Sequence, residues 1–178
     1  MATDRATTTL RFRDRLDRST TMETDVLNGF VGRRLRAAQY VQRTAGHTVV
    51  PGSIDHTLVF RLGGGRARRF DGARQTGQAE GRHTTTLIPA QATYGWELPD
   101  DSSVLHMYVD DADLRRFAHQ EFDIDPDRLE MRDYMGQNDP FMHHLGPLVL
   151  QELQSDLPQS HLLLDGFDGI IAGHMLRA

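Results

Sequence analysis

Residues 84–96 read Thr-Thr-Thr-Leu-Ile-Pro-Ala-Gln-Ala-Thr-Tyr-Gly-Trp, and this run constrains the fold more than any other in the chain. Three consecutive β-branched threonines leading into Leu87 and Ile88 favour a strand packed on both faces. Pro89 has no N–H to give to a ladder and ends it. After a small polar turn, Tyr94-Gly95-Trp96-Glu97-Leu98 alternates large and polar residues, the period of a second strand.

The flanking sequence is of the same kind. Residues 35–41 and 56–62 are apolar and β-branched enough for strands, the second a central one, and residues 104–109 form a further strand. Pro51-Gly52, Asp71-Gly72 and Pro99-Asp100-Asp101 mark turns between them. Gly63-Gly64-Gly65, with Arg66 to Phe70 returning, predicts a hairpin loop; no Lys-Ser/Thr follows to make it a phosphate cradle. At least six short strands in close succession suit an antiparallel barrel or sandwich better than parallel βαβ units.

After Val109 the period changes. Asp111 is placed to cap a helix carrying Leu114, Phe117 and Ala118, and Asp139-Pro140 is a second helix start. Pro147 should bend or interrupt that second helix. Residues 161–177 form the last one, where Gly166, Gly169 and Gly173 recur near one face and would admit a close neighbour. The expected order is α+β: a polar arm over 1–24, a β-barrel over 25–109 and a helical annex over 110–178.

Charge and composition narrow the functional classes. The net charge of −5 and pI near 5.9 are poor credentials for binding nucleic acid. The absence of cysteine removes thiolate chemistry and cysteine-bound zinc, and fits a reducing cytoplasm. Neither an apolar run of membrane-spanning length nor a secretory signal is visible. The arginines at 33, 34, 36, 66, 68 and 69 lack interleaved aromatic platforms and read as a solvated β-edge.

The strand–Pro–turn–aromatic unit resembles the second half of a cupin barrel. More closely, it is similar to the N-terminal effector-sensing domain of AraC/XylS-type transcription regulators. The segments that carry this resemblance occur in order: His56-Thr57-Leu58-Val59, Thr86-Leu87-Ile88-Pro89-Ala90, Trp96-Glu97, residues 104–108, Asp139-Pro140 and His174-Met175-Leu176-Arg177. Gln91 stands where that family has a turn glycine, and Tyr94 where it has a histidine. The resemblance implies an antiparallel cupin-like barrel (double-stranded β-helix or jelly roll) that binds a small-molecule effector. It further implies dimerisation through the helices, and DNA binding through a separate C-terminal domain with no counterpart here, as in an excised sensing domain.

A cupin metal site needs neutral imidazoles and a carboxylate converging on one ion. No His-x-His occurs, Tyr94 holds the later histidine position, and His143-His144 diverge on a helix, so neither metal nor cofactor is expected. No Gly-x-Ser-x-Gly marks a hydrolase, and an enzyme is not expected; a metal-dependent cupin enzyme and a ligand-free dimerisation module are the rival readings. Tyr94 and Trp96 share one strand face, as do His106 and Tyr108 on the next strand. If both faces look inward they form aromatic pocket walls with polar tips, and Arg61 or Arg36 could meet an anionic effector. Packing of the same aromatics into the core is the competing account. Leu145, Val149, Leu153, Leu163, Phe167, Ile170 and Ile171 exceed what one small barrel face covers and are candidates for a homodimer interface.

Overall fold

The computed structural model describes residues 23–177. Nine strands follow one another: β1 (Thr24–Val31), β2 (Leu35–Gln42), β3 (Gly46–Val50), β4 (Asp55–Gly63), β5 (Ala67–Asp71), β6 (Arg74–Ala79), β7 (Thr84–Ile88), β8 (Tyr94–Leu98) and β9 (Ser102–Asp110). Helix α1 (Asp111–Phe122), a 3-10 turn (Pro126–Arg128), strand β10 (Tyr134–Asn138) and helices α2 (Pro140–Gln154) and α3 (Pro158–Met175) complete the described chain. The arm expected over 1–24 lies almost wholly outside the described residues; Thr24 already opens β1.

Strands β2 to β9 pair as a nested set, β5 with β6, β4 with β7, β3 with β8 and β2 with β9, all antiparallel. Alternate pairs fall into two sheets, ordered β1-β2-β9-β4-β7-β10 and β3-β8-β5-β6. This is jelly-roll connectivity, the cupin-like barrel architecture. The fold is therefore an antiparallel cupin-like barrel followed by C-terminal helices.

Two local expectations change. Gly63-Gly64-Gly65 is not a hairpin, because β4 and β5 belong to different sheets; it is a corner where the chain crosses between them. Gly64 turns that corner at φ +100 with Ser102 so close that an added Cβ would lie 2.5 Å from its Cα. The hairpin is at Asp71-Gly72 instead, with Gly72 at φ +57. The region after Val109 is also not purely helical: β10 returns to the edge of the larger sheet beside β7.

All three helices contribute to one apolar layer on the outer face of the larger sheet. Leu35 and Ala37 of β2, Leu58 and Phe60 of β4, Leu87 of β7 and Leu105, Met107 and Val109 of β9 are fully buried there. They pack with Leu114, Met142, Leu145, Val149, Leu153, Leu164, Ile171 and Met175. Asp110, not Asp111, caps α1 by accepting from Asp113 N–H at 3.1 Å. Asp111 is engaged elsewhere, accepting from Arg115 Nε at 2.8 Å and pairing with His56 Nε2 at 2.7 Å. At the start of α2, Asp139 Oδ1 accepts from Phe141 and Met142 N–H, while Oδ2 pairs with His174 Nε2 at 2.7 Å, tying the start of α2 to the end of α3.

Helix α2 continues through Pro147, so of the bend or interruption expected there the interruption does not occur. The proline lies on the exposed side, where the carbonyl it leaves unbonded can be hydrated. Its neighbour Gly146 packs closely on the sheet: an added Cβ would sit 2.5 Å from the Phe60 ring. Gly166 on α3 faces open space. Gly146→Ala should therefore destabilise the protein by about 1–3 kcal/mol through overpacking, whereas Gly166→Ala should stabilise it by up to about 1 kcal/mol. Urea denaturation of the two variants measures the contrast, and equal effects would contradict the packing described.

Candidate functional site

Because strand side chains alternate, the residues between those buried under the helices point into the barrel. On β9 these are Val104, His106 and Tyr108. The register sets Val104 between Tyr40 and Arg61, His106 between Ala38 and Val59, and Tyr108 between Arg36 and Thr57. Small neighbours thus flank a polar imidazole at the centre of the inner face.

Three of these side chains form one hydrogen-bonded row. Tyr40 and Tyr108 hydroxyls lie 3.0 Å apart, and the Tyr108 hydroxyl is 2.9 Å from His106 Nδ1. The Tyr40 and His106 rings also pack at 4.8 Å. Among the described residues no charged partner supports His106, and burial pushes its pKa down to about 4, so the imidazole is neutral near pH 7. Each hydroxyl can donate or accept, so the proton direction along the row can reverse.

The opposing sheet contributes Trp96, which sits in register between Thr48 and Arg69. Both of those side chains are buried, which marks this as the inward face. Trp96 and Tyr94 meet edge to face at 6.4 Å. Tyr94, expected as a pocket wall, instead donates its hydroxyl to Asp133 at 2.8 Å. Arg69 donates to the same carboxylate at 2.6 Å and lies 4.3 Å over the Tyr94 ring. Burial and then Asp133 raise the Tyr94 pKa. Tyr94 therefore closes β8 against the segment leading into β10 and offers no free hydroxyl to the interior. Arg61 does point inward and is buried, whereas Arg36 is held by Asp55.

Of the nominated pocket residues, His106, Tyr108, Trp96 and Arg61 thus share the interior. Tyr40 joins them without having been singled out in the sequence. Its place two residues from Ala38 on a strand with Leu35 and Ala37 on the other face was the available signal.

His56, by contrast, lies on the helix-covered face. Ala90 N–H donates to its Nδ1 at 3.0 Å, which leaves Nε2–H to donate to Asp111 at 2.7 Å. Burial lowers its pKa despite Asp111. This arrangement fixes the turn after Pro89 to the start of α1, and with both nitrogens engaged the imidazole serves structure. His83 and His143 rings meet at 4.7 Å, yet no group of three or more His, Asp or Glu among the described residues is placed to hold a metal ion.

The nominated dimer residues divide. Leu145, Val149, Leu153 and Ile171 are buried in the core under the sheet, and Phe167 is half-buried. Leu163 and Ile170 are exposed, together with Leu148, Leu157 and Leu162. The apolar surface available to a second copy therefore keeps Leu163 and Ile170 of the expected set and adds Leu148, Leu157 and Leu162. The arginine cluster is dispersed into ion pairs, Arg34 with Asp168, Arg36 with Asp55, Arg66 with Glu80, Arg68 with Glu97 and Arg69 with Asp133. No helix among the described residues is long and apolar enough to cross a membrane.

No protein-family model and no curated protein matches this sequence. Solved structures with similar chain traces include the EutQ protein of Clostridium difficile, at 11% identity over 51% of this chain and 70% of that one, TM-score 0.43. A cupin 2 conserved barrel domain protein of Salinispora arenicola matches at 17% identity over 56% of this chain and 85% of its own, TM-score 0.40. KdgF of a Halomonas species matches at 10% identity over 50% and 80% respectively, TM-score 0.40.

The two neutral buried histidines predict a pH response. In the unfolded chain both titrate near the ordinary value of about 6.5, and in the fold both lie lower. The unfolded state therefore binds more protons below that value, and stability declines with acidification. Their contribution should be complete above about pH 6.5 and fall progressively towards about pH 4. His106→Gln should flatten part of this slope in urea denaturation between these limits; an unchanged slope would show that His106 titrates normally in the fold.

Proposed function

We propose that this domain senses a small-molecule effector inside its barrel and relays occupancy to dimer geometry, as the regulatory part of an AraC-type transcription regulator. The observation that carries the reading is the uncharged Tyr40–Tyr108–His106 row on the inner face, with Trp96 on the opposing sheet. A small-molecule site is mainly apolar with a few polar groups that orient the ligand, and this interior has that makeup. The sequence segments that resemble AraC-type sensing domains supply the regulatory context, and with it an expected cytoplasmic setting. DNA would be engaged by a separate C-terminal domain, since Arg34, Arg36, Arg66, Arg68 and Arg69 are each paired with a carboxylate. No catalytic role is assigned.

Relay to a dimer follows from the placement of the helices. They rest on the reverse side of the same β2, β4 and β9 strands that bear the row, so a shift in those strands moves the helices. Leu162, Leu163 and Ile170 then offer the apolar contact for a second copy.

Thermal unfolding against a library of small metabolites tests the sensor. A ligand of the folded state at a hundredfold excess over its Kd stabilises by about 2.7 kcal/mol. That shift should be lost in His106→Ala and Trp96→Ala proteins that still fold. Sedimentation equilibrium should show a dimer, and Leu163→Glu with Ile170→Glu should return it to monomer without unfolding. Absence of any ligand response with an intact dimer would favour a ligand-free dimerisation module, and a monomer at all concentrations would remove the relay.

A further inference from the structure

Arg61 is the anomaly of the barrel interior. The residue is 4% exposed, yet among the described residues no ion pair joins it to a carboxylate. Its guanidinium Nη2 donates to the Gly65 carbonyl, and its Nε has no partner. Arg36 and Arg69, the other arginines on inner faces, are each bound to an aspartate. Glu80 is the charge that favours the Arg61 cation, but it is itself bound to Arg66 at 2.8 Å. An unpaired buried charge is costly, and a fold retains one where something else meets it.

A second unpartnered group lies alongside. The β4–β7 ladder reaches Phe60 opposite Thr85, so Arg61 and Thr84, next along their strands, adjoin on the inner face. Thr84 Oγ1 is buried without a hydrogen-bond partner. A guanidinium with an unpartnered Nε and an unpartnered hydroxyl on the neighbouring strand, both able to donate, form a cradle for an anion.

We propose that the ligand is a small organic carboxylate, its anionic group held by Arg61 and Thr84 and its body lying along β9 past Val104 towards His106. The proposal rests on the effector-sensing reading and names the class of effector. Charge balance among the described residues selects the carboxylate: Arg61 is the cation without an ion pair on the inner face, and His106 adds no positive charge, so a phosphate dianion would bring an unmatched charge. His106, whose Nδ1 meets the Tyr108 hydroxyl, keeps Nε2 for a hydroxyl or carbonyl at the far end of the ligand.

Matched pairs of acids and primary amides test the class, with ionic strength held constant. Acetate, benzoate and 4-hydroxybenzoate are each compared with the corresponding amide by thermal unfolding at concentrations up to about 10 mM. The acids should raise the midpoint, 4-hydroxybenzoate most, and the amides should not. Arg61→Met, which replaces the cation by an apolar chain of similar length, should abolish the acid response at least tenfold in apparent affinity. The same variant without ligand should unfold at the wild-type temperature or above it, because an uncompensated charge has been removed. Thr84→Val should weaken the acids while leaving the fold intact. Amides as effective as acids, or an Arg61→Met protein that is less stable yet still responds to acids, would overturn the carboxylate assignment. A response to uncharged metabolites alone would overturn the carboxylate and leave the sensor standing; no response to any compound would remove both.

Discussion

Three adjoining strands, β2, β9 and β4, keep their alternation in step, and the rest of the molecule is arranged around that agreement. Leu35 meets Val109 and Ala37 meets Met107 on one face, while Ala38 meets His106 and Tyr40 meets Val104 on the other. A slip of one residue in any of these ladders would turn its apolar side chains into the barrel and its polar ones under the helices. The apolar layer is thus what pins the register, and the register is what assembles the tyrosine–histidine row. Stability and site are two faces of the same pairing.

The interior then divides its polar groups by how they are satisfied. Arg36 and Arg69 are neutralised by Asp55 and Asp133, and Tyr94 adds its hydroxyl to the second of these pairs. The His106 row is bonded side chain to side chain, and its imidazole is neutral near pH 7. Only Arg61 and its neighbour Thr84 retain buried, unpartnered atoms among the inward-facing groups described. Buried polar networks are rigid when complete and costly when not, so the incomplete part of this one draws the functional argument.

Much of this was legible in the sequence, and the misses have physical causes. Strands with β-branched and apolar runs, β4, β7 and β9, declare themselves. Strand β6, Arg-Gln-Thr-Gly-Gln-Ala, does not, because it is a largely exposed edge whose pairing with β5 comes from the Asp71-Gly72 turn and not from its own composition. The triglycine looked like a hairpin because a local reading has no means of knowing that its flanking strands join different sheets. Asp110 and Asp111 compete for one cap, and the choice depends on His56, fifty-five positions away from Asp111 in sequence. Helical period marks the apolar stripe of α2 but carries no information on what covers it, and the sheet buries Leu145, Val149 and Leu153. The inward direction of Arg61 required knowing which face of β4 the helices occupy.

The nested pairing also orders events in time. The turn at Asp71-Gly72 brings β5 onto β6 by closing a very short loop, and each further pair encloses the one before it. Once an inner pair is formed, the next closure costs little, since loop entropy rises by only about 0.6 kcal/mol per doubling of length. Closure of β2 on β9 before the inner pairs would have to span the whole barrel sequence unaided. The surface on which the helices dock includes Leu35, Ala37, Leu105 and Met107, and it exists only after that outermost pair has formed. Folding is therefore expected to zip outward from the middle of the sequence, slowly for its length as non-local pairings are, with the helices consolidating last.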